Sequence, residues 1–283
     1  MPFHGLFIGV TTLDLIYRSD RPLPNDRKVV ARDYLTAAGG PATNAAVAFN
    51  YFKNQGKLLS VLGQHPLTEL IKIDLRNCAV EHIDLASERI ESPPISSIIT
   101  AATGERAVIS TNAPQSQVDL SMLEDILDPI DIILFDGHQI EVSLAIAEKA
   151  NSRNIPVVMD GGSWKPGLER VLHLVDYAIC SANFYPPGCE SSDDVFNFLQ
   201  SCGIPRAAIT QGERSILYLT DGGISSLAVS QVDALDTLGA GDIFHGAFCH
   251  YILQTDFPTA LNLAAAIATR SCQFFGTRSW LQA

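Results

Sequence analysis

The run Asp236-Thr237-Leu238-Gly239-Ala240-Gly241-Asp242-Ile243-Phe244-His245-Gly246-Ala247-Phe248 joins a small, glycine-flanked loop to a carboxylate and then to an apolar stretch. Phe244, Ala247, Phe248, Tyr251 and Ile252 recur at three- and four-residue spacing, which predicts a helix with one buried face. Glycine lets a ligand approach the loop backbone closely. The amides of Gly239, Ala240 and Gly241 then fall at a helix N-terminus, where free N–H groups and the macrodipole favour an anion. Asp242 puts a negative charge beside that anion site and would repel a passively bound phosphate. A chemical role accounts for it: Asp242 takes the proton from a substrate hydroxyl while the amides hold the phosphoryl group in transfer. An aspartate in this position is expected to be ionised at neutral pH, and therefore to be a weak base.

Such a site needs a rigid frame, and the rest of the chain reads as one. Residues 6–10 form a short apolar run, consistent with a buried strand that ends near Asp14. Ligands gather at the carboxyl ends of strands in α/β sheets, which places Asp14 to meet one; a turn-capping aspartate is the alternative. Gly39 and Gly40 precede an apolar helix running from Pro41 to about Phe52, with the proline at its first position. Within it, Asn44 offers a donor and an acceptor suited to a sugar hydroxyl. Residues 57–62 read as the next strand. Residues 12–36, with a β-like piece at 28–31, and residues 94–112, with β-like runs at 95–100 and 106–110 around Thr103-Gly104-Glu105, read as a small β lid. Arg106 stands on that second run, within reach of an anion or simply exposed.

From residue 130 onward, strands and helices alternate, which predicts a mostly parallel sheet with helices on both faces. Strand 130–135 ends in Asp136-Gly137-His138, strand 155–159 in Asp160-Gly161-Gly162, strand 177–180 in Ser181-Ala182-Asn183, and strand 207–210 in Gln211-Gly212. Helices are expected at 141–150, 167–174, 193–201 and 258–272, and a hairpin at 215–219 and 224–229. The four strand ends bring polar and glycine residues to one edge. His138 would titrate near neutrality, with a reference pKa of about 6.5.

The chain has 283 residues, 47% hydrophobic and 18% charged, which suits a globular protein with a large core, read as one domain over 1–283. A formal net charge of −12 argues against nucleic acid or an anionic membrane as partner. The six cysteines form no C-x-x-C pair and read as reduced residues of a cytoplasmic protein. The opening shows no signal-peptide pattern, and no run reaches the length of a membrane span.

Two motifs resemble a known family. Asp236-Thr-x-Gly-Ala-Gly-Asp242 resembles the C-terminal signature of the ribokinase-like (PfkB) carbohydrate kinases, and Gly39-Gly-Pro-Ala-Thr-Asn-Ala-Ala46 resembles their N-terminal signature. The opening 9–17 and the Gly239–Gly246 run look most like the sulfofructose kinase and ketohexokinase-like branch. The resemblance implies a three-layer α/β/α sandwich with a β-sheet lid, MgATP as phosphoryl donor, a sugar as acceptor and a homodimer through the lid. It implies a substrate-binding role for Asp14, Gly39, Gly40, Asn44, Asp136 and His138. Nucleotide binding would fall to Asn183, Thr210, Gly212, Thr237, Gly239, Gly241, Asn262 and Ala265. In some relatives a monovalent cation such as K+ lies near the residue at Asp236. Three features depart from the family pattern. The loop at Gly63 lacks the usual Gly-x-Asp-x-x-Gly, Pro186 stands where Asn-x-x-Glu has its glutamate, with Glu190 as a substitute a few residues on, and the chain ends soon after Gly276-Thr277-Arg278.

Three functions compete on this reading. A sugar kinase stands first, then a nucleoside or other small-alcohol kinase of the same fold, then a catalytically silent sugar- or nucleotide-binding protein. A dehydrogenase is excluded because no strand leads into Gly-x-Gly-x-x-Gly, and a P-loop kinase because no Walker A run occurs.

Overall fold

The computed structural model of the chain describes residues 1–283 except 24, 103–104, 112–117, 119 and 124–125. In chain order the first strands are β1 (His4–Ile8), β2 (Thr12–Ser19), β3 (Asp33–Gly39), β4 (Gln55–Ser60), β5 (Glu81–Asp84), β6 (Ile95–Ala101) and β7 (Arg106–Ser110). They are followed by β8 (Ile132–Phe135), β9 (Val157–Gly161), β10 (Tyr177–Ser181), β11 (Arg206–Gln211), β12 (Arg214–Thr220) and β13 (Gly223–Leu227). The helices are α1 (Pro41–Tyr51), α2 (Thr68–Asn77), α3 (Ile140–Ser152), α4 (Ser192–Ser201), α5 (Ala240–Ile252) and α6 (Phe257–Ser271).

Among the described residues, nine strands make one sheet in the order β13-β12-β11-β10-β9-β8-β1-β4-β5. The strands from β11 to β5 run parallel, and β12 and β13 add an antiparallel edge. Alternation of side chains divides the core between the two faces. Leu6, Ile8, Leu59, Ile133 and Phe135 pack with α3 and α4 through Val142, Ile146, Val195 and Phe196. Phe7, Leu58, Ile132 and Leu134 face α1, α2, α5 and α6 through Phe49, Ile71, Phe248 and Leu261. This is the ribokinase-like three-layer arrangement. Because β1, β8, β9, β10 and β11 are parallel, their carboxyl ends meet at one edge, where α1 and α5 also begin.

A separate four-stranded sheet, β3-β2-β6-β7, stands over that edge. Ile16 and Ile98 anchor it to Phe275 and Leu238. Thr103 and Gly104, at the tip of the expected lid hairpin, lie outside the described residues, as do Pro24 and Asn112 in the expected lid segments. Residues 28–31 are not a strand; Val30 projects into solvent, and regular pairing to β2 starts only at Asp33. The helix expected over 167–174 is instead two 3-10 turns, Leu168–Arg170 and Leu172–Leu174, entered through Gly167 at φ 94°. Among the described residues, no helix is long and apolar enough to cross a membrane.

Candidate active site

Helix α5 starts at Ala240, with Gly239 as a left-handed N-cap at φ 71°. The amides of Gly239, Gly241 and Asp242 have no acceptor among the described residues, whereas Ala240 N–H reaches the Thr237 carbonyl at 3.3 Å. The open amides are therefore those of Gly239, Gly241 and Asp242 rather than three consecutive ones that include Ala240. Asp236 braces the loop from behind: one oxygen accepts from Leu238 N at 3.0 Å and the other from Gly276 N at 2.9 Å. The carboxylate expected beside a cation thus fastens two loops together, because amides supply the positive partners that its burial demands.

Asp242 leaves the first turn of α5 and meets α1. Its Oδ2 accepts from Asn44 Nδ2 at 2.8 Å. Close contact between the two helices makes this possible, since a β-carbon at Gly246 would overlap the Ala45 carbonyl. Burial and, next, the charge of Asp160 push the Asp242 carboxyl up to about 7, against the pull of Asn44 and His245. The expectation of a fully ionised, weakly basic Asp242 is corrected here, because desolvation beside a second carboxylate outweighs the helix terminus. His245, one turn along α5, places Nδ1 2.7 Å from the Gly241 carbonyl and 3.6 Å from Asp160 Oδ2.

On the acceptor side, Asp14 is buried at the start of the lid and accepts from Thr12 Oγ1 at 2.6 Å. Burial raises its carboxyl, tempered by Thr12 and the Arg278 guanidinium. Gly39 stands on the neighbouring strand directly behind it; a β-carbon there would overlap the Asp14 carboxylate. Gly39 therefore makes room for Asp14 rather than touching a ligand with its own atoms. Gly40 forms the N-cap of α1 at φ 100°. Asn44 is engaged at both ends: Oδ1 accepts from Arg278 Nη1 at 2.9 Å and Nδ2 donates to Asp242, which leaves one Nδ2 hydrogen and one Oδ1 lone pair.

Asp136 is buried and engaged by backbone amides. Its Oδ2 accepts from Val10 N at 3.0 Å and Ala42 N at 3.3 Å, and its Oδ1 from His138 N at 3.0 Å. The carboxylate fastens the end of β1 and the first turn of α1 to β8, and burial raises its pKa. His138 itself stays at the surface beside it. Lys165 Nζ binds the Asp136 carbonyl at 3.1 Å.

A cavity of about 380 Å³ adjoins the α5 N-terminus. Thr210, Gly212, Thr237, Ala240 and Gly241 line its floor, and Ala265 with Ala268, Thr269 and Cys272 supplies one face of α6. Ile216, Phe244, Val229 and Val232 complete a mostly apolar slot that suits a flat base. A β-carbon on Gly241 would meet nothing within 4 Å, so the backbone is open toward this space. Three expected residues fall outside the lining, Gly239 among them. Asn262 is exposed on α6 one turn before Ala265, beyond the end of the slot. Asn183 is exposed too: Phe184 is buried in the core and closes a turn onto the Ser181 carbonyl, which turns Asn183 outward. Glu190 is exposed before α4 and does not line the cavity either.

Sequence reasoning missed three contributors. Asp160 was visible only as a strand ending. Arg278 was visible only as part of the chain end, and Asp74, which pairs with Arg278 at 3.0 Å, lies on an ordinary amphipathic helix. An arginine two residues after a glycine near the end of the chain was the one available signal.

A family model for pfkB family carbohydrate kinases matches residues 5–283. The ribokinase of Lactococcus lactis subsp. lactis (strain IL1403) is 23% identical over 285 residues, covering 96% of this chain and 91% of its own. Among solved structures, a ribokinase candidate from Agrobacterium tumefaciens aligns over 100% of both chains with a TM-score of 0.85 at 23% identity. The Arabidopsis thaliana ribokinase complexed with ribose and ATP aligns over 99% of this chain and 98% of its own, with a TM-score of 0.75 at 18% identity.

Proposed function

Since this chain belongs to the pfkB family of carbohydrate kinases, we propose that it transfers the γ-phosphoryl group of ATP to a hydroxymethyl group of a small uncharged carbohydrate, with Asp242 as general base. One observation carries the reading. The Asp242 carboxylate, aimed by Asn44, stands on the same helical turn as Gly241, whose open amide borders the cavity.

The base of ATP fits the slot between α6 and the β12–β13 side, and its phosphates fit the amides of Gly239, Gly241 and Asp242. The acceptor lies between Asp14, the remaining Asn44 hydrogen and Asp242. A pKa of about 7 leaves Asp242 about half deprotonated at neutral pH, close to the optimum for a general base. It orients the hydroxyl, takes its proton and lets the oxygen attack the γ-phosphorus in line. Among the described residues, no group of three or more His, Cys, Asp or Glu side chains is placed to hold a metal ion. Magnesium would therefore be bound largely through the phosphates, whose charge it offsets.

Charge supports an uncharged acceptor. Asp14 and Asp160 both act on Asp242 as like charges, while Arg278 is paired with Asp74. A sugar phosphate or sulfonate would meet repulsion there. A lid-mediated homodimer is consistent with Tyr34, Val108 and Ile109 exposed on β3 and β7, and size-exclusion chromatography of Ile109→Lys tests it. Six free thiols fit the cytoplasm, and turnover in potassium against choline chloride tests the cation expected near Asp236.

The test of the central reading is ADP release with magnesium and ATP across uncharged sugars, sugar phosphates and nucleosides, with Asp242→Asn in parallel. Release that depends on an uncharged sugar and is lost in the variant supports the reading. Phosphorylation of nucleosides alone would move the acceptor class. Ligand binding without any turnover would identify a silent binding protein.

A further inference from the structure

We propose that Arg278 is the positioning residue for the base: clamped by Asp74, its guanidinium sets the Asn44 amide so that this amide donates to Asp242. The inference rests on the reading of Asp242 as general base.

An asparagine amide is nearly symmetric in shape, so its orientation must be imposed by its partners. Here both ends are determined. Arg278 Nη1 can only donate and therefore faces Asn44 Oδ1, at 2.9 Å. That leaves Nδ2 toward Asp242 Oδ2, at 2.8 Å, where an ionised carboxylate can only accept. Rotating the amide would bring nitrogen against guanidinium and oxygen against carboxylate.

The guanidinium is itself held on every side. Nε binds Asp74 Oδ2 at 3.1 Å and Nη2 lies 3.0 Å from the same oxygen. Nη2 also donates to the Ala38 carbonyl at 2.6 Å, and Nη1 to the Thr277 carbonyl at 3.1 Å. With Asn44, these acceptors take four hydrogen bonds and one further ion-pair contact from a residue only 9% exposed. Asp74 in turn accepts from Ala38 N at 2.9 Å, so the pair fastens the residue just before Gly39-Gly40. A lysine has three donors on a single nitrogen and cannot reproduce the fork.

None of Asp74, Arg278 or Asn44 lines the nucleotide cavity, so ATP affinity is not expected to follow their loss. The base is expected to feel it. Besides Asn44 on α1, Asp242 faces Asp160 from β9, His245 on α5 and Asp14 from β2. Without the oriented amide, the carboxylates remain and the donor is gone. Protonation of Asp242 then persists to higher pH.

The experiment compares wild type, Arg278→Lys, Arg278→Met and Asp242→Asn in kcat, KM for ATP, the pH dependence of kcat/KM for the sugar, and binding of a non-hydrolysable ATP analogue. Arg278→Lys is expected to lower kcat about tenfold and Arg278→Met about a hundredfold, with analogue affinity within twofold and the acid limb moved to higher pH. An unmoved acid limb, or a kcat within twofold of wild type in Arg278→Met, would overturn the proposal. So would loss of the thermal transition in both Arg278 variants, which would make the clamp a folding element only. If Asp242→Asn keeps its turnover, the base reading fails on its own. If Asp242→Asn is inactive while Arg278→Lys has an unmoved limb, only the positioning role fails.

Discussion

The side proposed for the nucleotide is an apolar slot bordered by small residues and open backbone, whereas the side proposed for the acceptor is a net of side chains bonded to one another. On the first side, Gly212, Ala240, Gly241 and Ala265 border an apolar slot, and Gly241 leaves its amide open toward it. On the second, Asp136 accepts three amides, Arg278 donates four hydrogen bonds and Asn44 keeps one free hydrogen. A flat base and a chain of phosphates are recognised by shape and amide dipoles, which need little side-chain chemistry. Moving a proton requires one carboxylate at a set pKa and angle, and that takes many fixed neighbours.

The largest effect that would sharpen this contrast is at Asp242. Asp242→Asn is expected to cut turnover by roughly 10²–10⁴ while leaving ATP-analogue binding within twofold. Near-full turnover would remove the general base and leave the acceptor side merely a binding site.

Asp136→Ala comes next. It would strand buried amides at Val10, Ala42 and His138, each costing about 1–3 kcal/mol. Urea unfolding is expected to show a loss of about 3 kcal/mol. An unchanged midpoint with a raised KM for sugar would instead return Asp136 to the substrate site.

Gly241→Ala tests the opposite side. Its backbone accepts alanine without strain, and the new methyl points into the open space. KM for ATP is expected to rise on the order of tenfold with an unaltered melting temperature. No change in KM would mean that the phosphates lie elsewhere.

The pKa of Asp242 makes two linked predictions. Proton abstraction needs the ionised form, so kcat/KM for the sugar is expected to fall about tenfold per unit below pH 7 and to level above it. For stability the sign is opposite. A carboxyl raised from 3.8 to about 7 on folding adds stability at pH values below its unfolded pKa, and that contribution is lost as pH rises through 7. Asp242→Asn is therefore expected to gain several degrees in melting temperature at pH 8 relative to its effect at pH 4. Equal shifts at the two pH values would contradict the raised pKa.

The smallest effect is at α6. Asn262→Ala is expected to leave KM for ATP within twofold, since only Ala265 and the turns after it reach the slot. A tenfold rise would extend the nucleotide site one turn further than the cavity does.

Legibility followed the distance over which each feature is encoded. Helix α5 and its loop were readable because apolar spacing and glycines act within a few residues, and the strand ends at Asp136, Asp160 and Gly212 were readable for the same reason. The helix expected over 167–174 was misread because Pro166 and Gly167 distort the backbone at its start, which a count of apolar residues does not register. Asn262 was placed in the adenine pocket by analogy, although the depth of a slot along a helix depends on what packs opposite it. That Asn183 does not line the cavity could not be read from its motif, because it follows from the burial of Phe184 and its turn onto the Ser181 carbonyl.

By itself, then, the sequence determined the α/β alternation, the two signature loops and the identity of Asp242 as the group to watch. Those are local patterns of residue type and spacing, and local steric rules translate them directly. Only the tertiary structure decided what Asp242 is chemically. Its donor Asn44 lies 198 residues away in the chain, and the Arg278 that orients Asn44 lies 234 residues from it. Asp160 reaches it only because β9 ends and α5 begins at one edge of the sheet. A pKa depends on burial and on charges a few ångströms away, and no spacing along the chain specifies either until the sheet and helices have packed.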